Sequence, residues 1–145
     1  NWWNIKKNER SWRQMKEEHL EIYLSKISSL KSESNKIEED NPGSLMRKIE
    51  LLAECLVYIG SVSAYVDKQY EVAYANRKYE QAKSHVSHAK DKAANSEIDV
   101  RELRLEENNM YGDKMRWRNA FESTKEQINV LKMKMKVNFH VKDGV

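Results

Sequence analysis

After Asn41-Pro42-Gly43, residues 44–138 carry apolar side chains mostly three or four positions apart, clearly interrupted only around Asn95-Ser96. That spacing keeps one face of an α-helix apolar, and two runs of this length predict two very long helices folded back on each other. Pro42 is the only proline and Gly43 one of four glycines, so few positions can stop a helix. The expected fold class is all-α: a long antiparallel helical hairpin, coiled-coil-like, with an additional N-terminal helix. That helix completes a three-helix bundle, or the hairpins form an oligomeric helical assembly. Such a pattern builds no pocket in which carboxylates could be paired for catalysis, so we expect a non-enzymatic protein with no cofactor.

Three stretches follow. Residues 1–40 form a basic, aromatic segment and a helix, residues 44–138 the hairpin with its tip near 94–97, and residues 139–145 a tail. Charged residues reach 34% and hydrophobic ones 39%, a balance that suits extended helices with polar outer faces. No run of eighteen apolar residues and no apolar stretch near the N-terminus are present. Neither a membrane span nor a signal peptide is therefore expected. The single cysteine, Cys55, can make no internal disulfide, which fits a reducing cytoplasm, and it reads as a small buried hydrophobe.

In the first stretch, Leu20, Tyr23, Ile27, Leu30 and Ile37 form a narrow apolar stripe interrupted at Ser34, with Trp12 and Met15 upstream. This predicts a helix from about Ser11 to Glu39 that docks on something else. Ser44 is the expected N-cap of the next helix, whose seam is Leu45, Ile49, Leu52, Leu56 and Ile59. The register continues through Ser63, Val66, Tyr70 and Ala73, and a second one appears at Ala75, Tyr79, Ala82, Val86 and Ala89. A shift of two residues near Tyr74 predicts a local change of supercoil or a kink. The returning helix carries Leu103, Met110, Trp117, Phe121, Thr124, Ile128, Leu131 and Met135, with Glu107 and Lys114 at two seam positions. Gly60 allows close helix approach or marks a bend.

The net charge of +3 is unevenly spread. Residues 1–16 carry five bases against Glu9, a net of +4. Residues 114–142 carry eight bases against Glu122 and Glu126, a net of +6. The stretch between, 17–113, has thirteen bases and nineteen acids, a net of −6. Basic ends suggest a polyanion or an acidic partner. The N-terminal Lys6, Lys7, Arg10, Trp12 and Arg13, with Trp2 and Trp3, interleave bases with aromatics, as stacking on unpaired bases requires. The same residues would suit an anionic membrane surface, or simple packing of the tryptophans against the bundle with the bases solvated. Arg116, Arg118, Lys132, Lys134 and Lys136, together with Lys125, form a second basic stripe, with Lys132, Lys134 and Lys136 facing solvent. A solvated helix end complementing the macrodipole is the plainer reading of any one of them. His85 and His88 lie three apart with Asp91 beyond, but no third strong metal ligand accompanies them.

Tyr70, Ala73-Tyr74-Ala75, Tyr79, Ala82-Lys83, the segment Ile98-Asp99-Val100-Arg101-Glu102, and the returning Trp117, Phe121, Ile128 and Leu131 carry a resemblance. Over about residues 62 to 137 the chain resembles small helical-hairpin proteins of bacteriophage replication and recombination modules. It is similar in layout to the phage recombination mediator family, which assembles into rings, binds single-stranded DNA and helps load a recombinase. The resemblance implies an oligomeric accessory factor that binds single-stranded DNA or RNA in the bacterial cytoplasm. The rival expectation is a phage-encoded module that captures a host or phage protein with its helices.

Overall fold

The computed structural model describes residues 2–140, and side chains from residue 19 to residue 140. Four helices account for about 90% of the described residues, and no strand occurs among them. They are α1 (Trp2–Asn35), α2 (Pro42–Ser87), α3 (Lys92–Asp99) and α4 (Arg101–Phe139). The chain divides into two compact units, one made of residues 1–62 and 119–145, the other of residues 63–118.

The turn between α1 and α2 is built by Asn41-Pro42. Asn41 Oδ1 accepts the Ser44 backbone N–H at 2.9 Å, so Asn41, not Ser44, caps α2. Pro42 takes the first helical position, where its missing N–H costs nothing. α1 starts earlier and ends sooner than the stripe from Ser11 to Glu39 predicts.

In the first unit, Leu45, Ile49 and Leu52 of α2 are buried against Ile128, Leu131 and Met135 of α4, with Met46, Leu56 and Phe139 at the margin. Close approach of the two helices is possible at Gly60, where a methyl group would come 3.3 Å from the Phe121 ring. α2 buries a second face against α1. Leu51 and Cys55 are buried there, the Cys55 thiol lies 3.8 Å from the Ile27 carbonyl oxygen, and the Tyr23 and Tyr58 rings are 5.5 Å apart. Burial pushes the Cys55 thiol up from its ordinary value, so it remains a thiol. Ser34 does not interrupt the docked stripe. It is buried, and its hydroxyl donates to the Lys31 carbonyl at 2.9 Å.

The second unit is arranged differently. Its chain reversal lies at His88–Asp91, with α3 covering residues 92–99, so the tip expected near 94–97 is helical. Asp91 makes this turn in the left-handed region (φ 47°), which a short polar side chain tolerates. Between α2 and α4 of this unit, Asp67 meets Arg118, Glu71 meets Lys114, and Arg77 meets Glu107. Numbers rise on α2 as they fall on α4, which makes the pair antiparallel. The inward line of α2 keeps the first register through Val66, Tyr70 and Ala73 and then turns polar at Arg77, Gln81 and Ser84. No shift of two residues is needed near Tyr74: the second register at Ala75, Tyr79, Ala82, Val86 and Ala89 points outward, and all five are exposed.

Candidate functional site

The second unit is held by polar contacts. Arg77 Nε donates to Glu107 Oε2 at 2.6 Å and its NH2 to Oε1 at 3.1 Å, a bidentate pair with both side chains 9% exposed. The remaining guanidinium nitrogen donates to Gln81 Oε1 at 2.8 Å, and the cation sits 5.2 Å from the Tyr74 ring centre. Gln81 in turn donates to Glu97 at 2.9 Å, and Arg104 donates to the same carboxylate. Asp99 accepts from the Ser84 hydroxyl and lies 2.8 Å from His88 Nε2. Hydrogen bonds from Arg77 hold the Glu107 carboxyl below its ordinary range, and those from Ser84 and His88 do the same for Asp99. These groups tie α2, α3 and α4 together and are occupied with one another. His88 is spent on Asp99, and no cluster of three metal-ligating side chains occurs among the described residues.

Val100 is buried and Val66 and Ala73 are half-buried in this unit, but other apolar residues lie outside. Along α2 in this unit, Ala64, Val72, Ala75, Tyr79, Ala82 and Val86 are all exposed. Val72 is 44% exposed, Tyr79 61% and Val86 78%, and the Lys83 ammonium lies 5.1 Å from the Tyr79 ring centre. From Val72 to Val86 the steps are three and four, the spacing of a helix–helix seam. The sequence contained this signal, but it reads as a continuation of the hairpin's own seam unless the inward turn to Arg77, Gln81 and Ser84 is recognised first.

The basic residues have mixed surroundings. Lys6, Lys7, Arg10, Trp12 and Arg13 lie outside the residues whose side chains are described. Arg116 pairs with Asp113 at 3.1 Å and Arg118 with Asp67 at 3.7 Å. Lys134 does not simply face solvent: it is half-buried and pairs with Glu39, which Lys48 also contacts at 3.2 Å. The two lysines hold the Glu39 carboxyl below its ordinary range. Lys125, Lys132 and Lys136 are exposed and share one side of α4. Arg116, Arg118 and Lys134 of the second basic stripe are thus neutralised by carboxylates.

An open groove of about 630 Å³ in the first unit is lined by Ser34, Glu39, Lys48, Glu122, Glu126 and Lys134, with Leu52 and Leu131 among its walls. Its lining contains serines, but no histidine or cysteine accompanies them. α2 also contains an 18-residue window of mean hydropathy 1.5, of which 33% is buried. By length and composition this helix could cross a membrane, contrary to the expectation from apolar runs alone. The buried Leu45, Leu51, Leu52, Cys55, Ile59 and Val62 equally account for that hydropathy through packing. No protein-family model, no curated protein and no solved structure matches the chain.

Proposed function

We propose that the protein is a non-enzymatic, oligomeric helical hairpin that works by contact between its exposed helix faces and other macromolecules in the cytoplasm. One observation carries the reading: in the second unit α2 beyond Ala73 meets α4 through polar side chains, while Val72, Ala75, Tyr79, Ala82 and Val86 on its other side are exposed. Exposed apolar seams of this kind mark interaction surfaces more often than lone surface hydrophobes do. The test uses Tyr79→Asp, a change at an exposed position. The variant is expected to keep its helicity and melting temperature, while immobilised variant protein loses the partners that wild-type protein retains from cells expressing it. An unchanged set of retained proteins would remove this reading.

A second reading, binding of single-stranded nucleic acid as a phage recombination or replication accessory factor, is favoured by the exposed Lys125, Lys132 and Lys136 on one side of α4. Replacing all three with glutamate is expected to leave helicity intact. It should weaken binding of a labelled oligonucleotide and flatten its salt dependence, because each phosphate contact releases about one counterion. Equal affinity of variant and wild-type protein at low salt would show that these lysines are only a solvated helix end.

A further inference from the structure

The outward face of α2 in the second unit has a pattern finer than apolarity. Val72, Tyr79 and Val86 recur every seven residues, and Ala75 and Ala82 occupy the alternate seam position. One seam position is therefore consistently large and the other consistently small. In a parallel pair of identical helices, like positions meet, stacking tyrosine on tyrosine and leaving alanine against alanine. In an antiparallel pair the two positions meet each other, so Val72 of each copy can sit over Ala75 of the other. The flanking charges select the same orientation. Glu71 and Lys78 lie one residue before Val72 and Tyr79, at equivalent edges of the face. Antiparallel pairing can bring Glu71 of each copy to Lys78 of the other, whereas parallel pairing brings Lys78 towards Lys83 of the second copy. The Glu71 carboxylate is 67% exposed and reaches Lys114 only at 4.0 Å, which leaves it open to a second cation.

We propose that this face binds a second copy of the chain as an antiparallel helix pair. Val72 of each copy lies over Ala75 of the other, and Glu71 lies beside Lys78 of the other. In this register Tyr79 also meets Lys68 of the second copy, a cation beside an aromatic ring. The inference rests on the reading of exposed helix faces as the working surface and names the occupant of one of them. The seam is short, so the expected dimer Kd is on the order of 10 µM, a weak, concentration-dependent association.

Sedimentation equilibrium of the full chain tests it. Wild-type protein is expected to shift from monomer to dimer across the micromolar range, and Ala75→Glu to raise the Kd by about a hundredfold or more with unchanged helicity, since a charge would be buried in the seam. Glu71→Lys and Lys78→Glu should each weaken the dimer about tenfold, and the two changes combined should restore it. A wild-type chain that stays monomeric throughout, or an Ala75→Glu chain that dimerises like wild type, overturns the proposal. So does a double charge reversal that fails to restore association, because the antiparallel register requires that rescue. A monomeric chain that still loses its retained partners on Tyr79→Asp would sink only the self-pairing and leave the broader function standing.

Discussion

Arg77→Met is expected to destabilise the protein by about 3–5 kcal/mol, because it leaves the Glu107 carboxylate buried without its cation. Glu107→Leu should cost a comparable amount by stranding the guanidinium. The double variant should recover most of the loss, since two apolar side chains of similar volume need no partners in that place. Gln81 is half-buried and keeps its bond to Glu97, so its freed carbonyl oxygen can turn to water. Urea midpoints for the four proteins measure the coupling; equal and additive losses would mean that the pair is solvated rather than buried. The pair also sets a pH dependence. Hydrogen bonding from Arg77 lowers the Glu107 carboxyl below its ordinary value of 4.5, against the opposing effect of burial. The folded chain then binds fewer protons than the unfolded chain. Its contribution is complete above the unfolded value and is lost as pH falls through the lower folded value. The urea midpoint should stay flat between about pH 6 and 8 and fall below about 4.5, more shallowly in the double variant. Glu39, Glu97 and Asp99, lowered in the same direction by their own partners, leave a residual acid slope.

The helices were legible in the sequence because apolar spacing and burial coincide over the first unit. Leu45, Ile49, Leu52, Ile59, Ile128, Leu131 and Met135 are apolar, periodic and buried. The second buried face of α2 was not legible. Leu51 and Cys55 stand in an apolar run, which does not reveal that two helices rather than one pack against it. In the second unit the rule holds for Val66, Tyr70 and Ala73, which are half-buried, and fails beyond them. A search for periodic apolar residues selects Ala75, Tyr79, Ala82 and Val86, while the contact to α4 runs through Arg77, whose partner is thirty positions away. The turn was misplaced for a local reason: neither glycine nor proline marks it, and Asp91 supplies the left-handed residue. Lys134 illustrates the same limit at the candidate site. Its partner Glu39 is ninety-five positions distant, so a lysine that looks solvated in sequence is held in an ion pair.

Leu131→Asp is expected to abolish the folded state of the first unit, whereas Leu56→Asp should only weaken it. Both residues belong to the seam that apolar spacing defines, but their surroundings differ. Leu131 is 4% exposed and closes a cluster with Leu45, Ile49, Leu52, Ile128 and Met135. Truncating such a leucine to alanine typically costs about 2–5 kcal/mol through lost burial and the cavity left behind. A carboxylate in the same place adds the penalty of an unpaired buried charge, and the total exceeds the stability of many domains. Leu56 is half-buried at the margin of the cluster, where an aspartate can turn its carboxylate to water. Circular dichroism melts of Leu131→Ala, Leu131→Asp and Leu56→Asp should therefore show a graded series: a lowered midpoint, no cooperative transition, and a modestly lowered midpoint. A cooperative Leu131→Asp melt near the wild-type temperature would mean that α4 does not pack on α2 through this residue. The antiparallel pairing in the first unit would then need another seam.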